Sequence, residues 1–122
     1  MKEGYLMKTH KVIFHIKELD NWNSLINNVK NLQKDMTDFQ VDIIVLANGS
    51  AVRYFDSTNV IEKNIDDIQK LSESDVKFKA CNNSLTYSGI TEDQLYPFAE
   101  VVPVGVGELV RKQNEGYAYI YV

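Results

Sequence analysis

One cysteine stands in this chain of 122 residues, at position 81. It follows Val76-Lys77-Phe78-Lys79-Ala80, which reads as a strand, and precedes Asn82-Asn83-Ser84-Leu85, which reads as a turn opening into a helix. A side chain at that junction faces the positive end of the helix dipole and several unpaired backbone N–H groups. Such surroundings favour the thiolate, the form of cysteine that attacks electrophiles and carries sulfur. A lone cysteine suffices for a persulfide shuttle but not for dithiol redox chemistry, because no resolving thiol is present. Cys81-Asn82-Asn83-Ser84 also spells CxxS, a monothiol relative of CxxC, but the chain lacks an early thioredoxin-like arrangement. The plain alternative is a small buried hydrophobe, a frequent fate of free cysteine.

Other residues with chemical potential cluster at segment ends. His15 closes an apolar run and could serve as a base or hydrogen-bond donor near the thiolate. It could equally be a histidine hydrogen-bonded at a strand end. Adjacent strands lie about 4.8 Å apart, so a strand between His15 and Cys81 would prevent direct contact without a bridging group. Asn48-Gly49-Ser50 is a turn of small residues that would shape the neighbouring wall, and it is not a GxSxG nucleophile elbow. Gly105-Val106-Gly107 hints at an anion-binding turn, yet it lacks the third glycine of GxGxxG and the GK[ST] ending of a P-loop. Tight strand-to-helix packing suits it better. His10, His15 and Cys81 form no recognisable metal-ligand set, and no cofactor is expected.

Length and composition suit one soluble domain: 44% of residues are hydrophobic and 25% charged. A net charge of −4 without a Lys/Arg cluster argues against nucleic acid or anionic membrane as partner. The absence of a disulfide pair fits a reducing cytoplasm. Residues 1–10 read as an N-terminal extension without the apolar core of a signal peptide, and 11–122 as one domain.

The elements that must position Cys81 follow from periodicity. Lys11–Ile16 and the nearly continuous Val41–Ala47 read as strands. Between them Trp22, Leu25, Ile26, Val29 and Leu32 recur at helical spacing behind Asp20 or Asn21 as cap. Ala51–Phe55 suits a short helix, and Asn59 with Glu62 a capping pair for a longer one carrying Ile61, Ile65, Ile68 and Leu71. Thr91 and Gln94 resemble a capping box. Ala99–Val102 is a fourth strand, and a last helix should turn Val106, Leu109 and Val110 inward, closed by Gly116. Tyr117–Val122 alternates, with Tyr117, Tyr119 and Tyr121 on one face. This alternation of elements predicts an α/β fold with a mostly parallel sheet, whose C-terminal strand ends bring His15, Asn48–Ser50, Cys81 and Gly105 to one edge. One detail resists: Lys77 and Lys79 share a face with Cys81. Either that strand lies near an edge or that face is thinly covered.

His15 after its strand, Asn48-Gly49-Ser50-Ala51-Val52, Phe78-Lys79-Ala80-Cys81-Asn82-Asn83-Ser84-Leu85 and the closing segment from Val102 to Ile120 together resemble the DsrE/DsrF-like proteins of sulfur relay and sulfur oxidation. The resemblance implies a five-stranded parallel sheet in three α/β/α layers and assembly as homotrimers or hexamers. It also implies a persulfide-bearing cysteine, here Cys81, exchanging sulfur with donor and acceptor proteins. The expected function is therefore a small cytoplasmic sulfur carrier or sulfurtransferase-like protein. Asn82, Asn83 and Ser84 would offer N–H groups to the sulfur anion, with His15, Asn48, Gly49, Ser50 and Gly105 around it. The competing expectation is a non-catalytic oligomeric module that binds a small ligand or protein tail while Cys81 only packs.

Overall fold

The computed structural model describes residues 9–122. Of the expected N-terminal extension, residues 1–8 lie outside the described residues, whereas Thr9 and His10 already belong to the first strand. Five strands form one sheet: β1 (Thr9–Ile16), β2 (Gln40–Ala47), β3 (Lys77–Cys81), β4 (Ala99–Val102) and β5 (Ala118–Tyr121). All neighbours are parallel, in the order β4-β3-β2-β1-β5. The helices are α1 (Trp22–Asp35), α2 (Ile65–Glu73), α3 (Asn82–Tyr87) and α4 (Gly105–Asn114), with a seven-residue 3-10 segment at Gly49–Phe55.

Handedness decides where the helices go. The chain steps from β1 to β4 in one direction across the sheet, so right-handed crossovers put α1, α2 and α3 on the same face. The return from β4 to β5 runs the opposite way and sends α4 alone across the other face. The two hydrophobic clusters reflect this asymmetry. The larger joins Val12, Phe14, Val45 and Phe78 of the sheet to Trp22, Phe55, Ile68 and Leu85. Its centre is aromatic: Trp22 stacks on Tyr54 at 4.6 Å between centroids, and its indole N–H donates to the Ala51 carbonyl at 3.0 Å. The smaller holds only Ile13, Ile44, Leu46, Val102 and Leu109, with Tyr117 at its border.

The thin face answers the question left by Lys79. Lys79 points under α4, where its ammonium donates to Glu108 at 2.7 Å, and both side chains are buried. Arg111 donates to the other carboxylate oxygen at 3.2 Å. Burial alone would raise the Glu108 pKa, but Lys79, Arg111 and Lys112 outweigh it and hold the carboxyl below its ordinary value.

Two local expectations fail. Val106 and Val110 do not face inward; they are 61% and 53% exposed, while Gly105, Glu108 and Leu109 turn to the sheet. A thin layer needs only one apolar contact from α4, and the ion pair occupies the rest of its inner face. The Asn59/Glu62 cap also fails: α2 starts at Ile65, and residues 57–64 form an irregular connection. There Asn64 N–H donates to the Tyr54 hydroxyl at 2.6 Å and Lys63 reaches the Asp56 carbonyl. The Thr91/Gln94 box is present at a single 3-10 turn, and Gly116 takes φ 96° just beyond α4.

Removing one member of the buried pair strands the other. Glu108→Leu or Lys79→Met alone should each cost about 3–5 kcal/mol in denaturant unfolding, and the double variant should recover much of that loss. The Glu108 contribution is fully present above the unfolded-state value near 4.5 and is lost as pH falls through the lower folded value. The stability difference between the native protein and the double variant should narrow over that acid range.

Candidate functional site

Cys81 is the last residue of β3 and the residue before α3. It shares the thin face with Lys79, two residues earlier on the strand. Because α4 begins directly after β4, next to β3, its first residue lies against the cysteine. Gly105 N–H donates to Cys81 Sγ at 3.3 Å. The thiol is only 5% exposed. Burial is the largest influence and would push its pKa up. The N–H groups of Ser84 and Gly105, the Ser84 hydroxyl and the Asn83 N–H act against burial, and together they bring the thiol below its ordinary value. The sulfur is therefore enclosed by donors from two helix starts.

Gly105 must be glycine for this approach. A Cβ there would stand 3.2 Å from Cys81 Cβ and 3.5 Å from Sγ. Across the site, Gly49 N–H donates to the Ser84 hydroxyl oxygen at 2.9 Å, which leaves the hydroxyl proton free to turn to the sulfur. Gly49 reaches that position with φ 57°, and a Cβ on it would come within 2.8 Å of the Lys17 carbonyl oxygen. Ser50 points elsewhere. Its hydroxyl accepts from Leu19 N–H at 2.9 Å and ties the turn to the chain leaving β1.

His15 does not reach the sulfur, because β2 lies between its strand and β3. Its Nε2 is 2.9 Å from Asn48 Oδ1 and its Nδ1 is 2.7 Å from the Tyr119 hydroxyl. A carboxamide oxygen only accepts, so Nε2–H donates to Asn48, and Nδ1 shares the second hydrogen bond with the Tyr119 hydroxyl. Asn48 is the intermediate group: Ala47 pairs with Ala80, so Asn48 and Cys81 occupy the next positions on adjacent strands. Asn82 opens α3 with an exposed side chain. The edge thus brings Cys81, Asn83, Ser84, Gly49 and Gly105 together, with Asn48 beside them and His15 and Ser50 one layer removed. The buried Lys79–Glu108 pair, which anchors α4 beneath the sulfur, was not anticipated; lysines alternating on the cysteine's face were its only signal. Among the described residues, no group of three His, Cys, Asp or Glu side chains could hold a metal ion.

Gly105→Ala should force α4 away by a few tenths of an ångström and lengthen the N–H···S contact. The thiol pKa should rise, read as a later onset of thiolate ultraviolet absorbance on pH titration, with the fold retained. Ser84→Ala should raise it independently, by removing the hydroxyl donor.

Comparison with known proteins agrees with this architecture. The family model of the DsrE/DsrF-like family matches residues 19–122. A solved structure described as a protein of unknown function, MTH1491 from Methanobacterium thermoautotrophicum, is 36% identical. It superimposes with a TM-score of 0.83, over 93% of this chain and 99% of that one. The ychN protein of E. coli shares the fold at a TM-score of 0.74 with 14% identity, over 93% and 99% of the two chains. No curated protein matches. With the family model spanning Cys81, its donors and four of the five strands, the chain belongs to the DsrE/DsrF-like family.

Proposed function

We propose that this protein carries a sulfane sulfur as a persulfide on Cys81, within the sulfur-relay chemistry of its family. One observation carries the reading: a nearly buried thiol whose acidity is increased, against the effect of burial, by N–H and O–H donors from the starts of two helices. A cysteine that only packs gains nothing from such donors, whereas a thiolate, and the persulfide anion after loading, needs them. Asn83, Ser84 and Gly105 hold the charge. Gly49 orients Ser84, and Asn48 forms the neighbouring wall, clamped by His15.

The same reading includes assembly. Val106 and Val110, one helical turn apart on α4, leave an apolar stripe exposed on the thin face, with Val104 at its start. Tyr119 and Tyr121 extend exposed aromatic surface on the neighbouring edge. A second copy packed there would bury this apolar surface, as in homotrimers or hexamers. No helix among the described residues is long and apolar enough to cross a membrane, and a reducing cytoplasm suits a free thiol of this kind.

Treatment with inorganic polysulfide followed by intact-mass measurement should give a one-sulfur adduct on the native protein and none on Cys81→Ser. An adduct that survives Cys81→Ser refutes the assignment. The low exposure of Cys81 favours one competing role, a purely structural cysteine in a binding module. A thiol that reacts at neutral pH only after denaturation would decide for that role.

A further inference from the structure

A cavity of about 260 Å³ opens beside α3, between Gly49, Ser50 and Arg53 on one side and Asn83, Ser84 and Tyr87 on the other. Two of its walls, Asn83 and Ser84, are also the residues whose N–H groups face Cys81 Sγ, so the cavity adjoins the sulfur. Its lining includes no carboxylate, although the chain as a whole carries a net charge of −4. Arg53 is its single cation. Among the described residues the ion pairs engage Lys30, Lys79, Arg111 and Lys112, leaving the Arg53 guanidinium without an acidic partner. Tyr87, 93% exposed, contributes a ring with no packing duty of its own.

A guanidinium fork without a carboxylate, in a pocket that is otherwise small and neutral, selects a planar carboxylate or similar anion. The volume lies below the roughly 300–1,000 Å³ of drug-sized sites, which suits an acid of a few carbons. Resting on the carrier reading of Cys81, we infer that this cavity binds the acid end of a low-molecular-weight organic persulfide, with Arg53 as its charge partner, and delivers its terminal sulfur to Cys81. Cys81 thiolate attacks the outer sulfur of R–S–SH and forms the Sγ–S bond. The S–S bond of the donor breaks, and its electron pair leaves on the inner sulfur as the thiolate R–S⁻. The hydrogen stays on the transferred sulfur, so charge and atoms balance without an added oxidant or reductant. Arg53 acts here as a specificity-determining residue and takes no part in bond making.

The test compares initial Cys81 loading by N-acetylcysteine persulfide and by the persulfide of its methyl ester, at subsaturating donor and followed by intact mass. Arg53→Gln should lower the acid-to-ester rate ratio about five- to tenfold relative to the native protein, without changing the ester rate. Arg53→Lys should retain part of the preference. Arg53 is exposed, so neither substitution threatens the fold. An unchanged ratio in Arg53→Gln overturns the inference. Loading by inorganic polysulfide but by neither organic donor also overturns it, and leaves the carrier reading intact. No loading by any of the three overturns the carrier reading itself, and this inference with it.

Discussion

The contact between the start of α4 and the end of β3 is the constraint on which the rest of the molecule turns. It exists because a right-handed return from β4 to β5 has only one face available to it. A single helix therefore covers what three helices cover on the opposite side. That helix begins where β4 ends, beside Cys81, and its first N–H has nowhere to go but the sulfur. The Lys79–Glu108 pair fixes it there. A buried ion pair adds little net stability when compared with apolar replacements, but it tolerates only one arrangement of its two elements. Here that arrangement sets the distance from Gly105 to Sγ.

At Cys81 two physical effects oppose one another. Removal from water disfavours the anion, while amide dipoles and a hydroxyl favour it, and the donors win. The same competition takes another form at His15. Both ring nitrogens are engaged, by Asn48 and Tyr119, so the imidazole has no free site to offer a neighbour. The edge of the sheet thus holds one acidified thiol and one fully hydrogen-bonded imidazole, with β2 between their strands. Donors favour the thiolate in place, and His15 does not stand beside the thiol as a base.

Much of the fold was legible because β1 and β2 carry apolar, β-branched runs and the strand-to-helix alternation leaves few topologies. The position of Cys81 at a strand end was legible for the same reason. The connection after the 3-10 segment was not, because the apolar pattern of Ile61, Ile65 and Ile68 continues past a stretch tied down by the Tyr54 hydroxyl and Lys63. The outward turn of Val106 and Val110 was hidden too: periodicity counts apolar residues and does not reveal that a glutamate occupies the inner face. Gly105 read as a packing glycine, and it is one, but its N–H serves the sulfur only because strand order brings α4 over β3. Strand order arises from contacts distant along the chain, which local patterns do not encode. The lysines flanking Phe78 were the one visible sign that the cysteine's face was unusual.

Because α4 is, among the described residues, the one helix over its face and also a donor to the thiol, those two duties cannot be tuned separately. Anything that presses on the outer valines moves one of the amides that favour the sulfur anion. Thermodynamic linkage makes the relation mutual, so a change of charge on the sulfur must feed back on how firmly that surface is held.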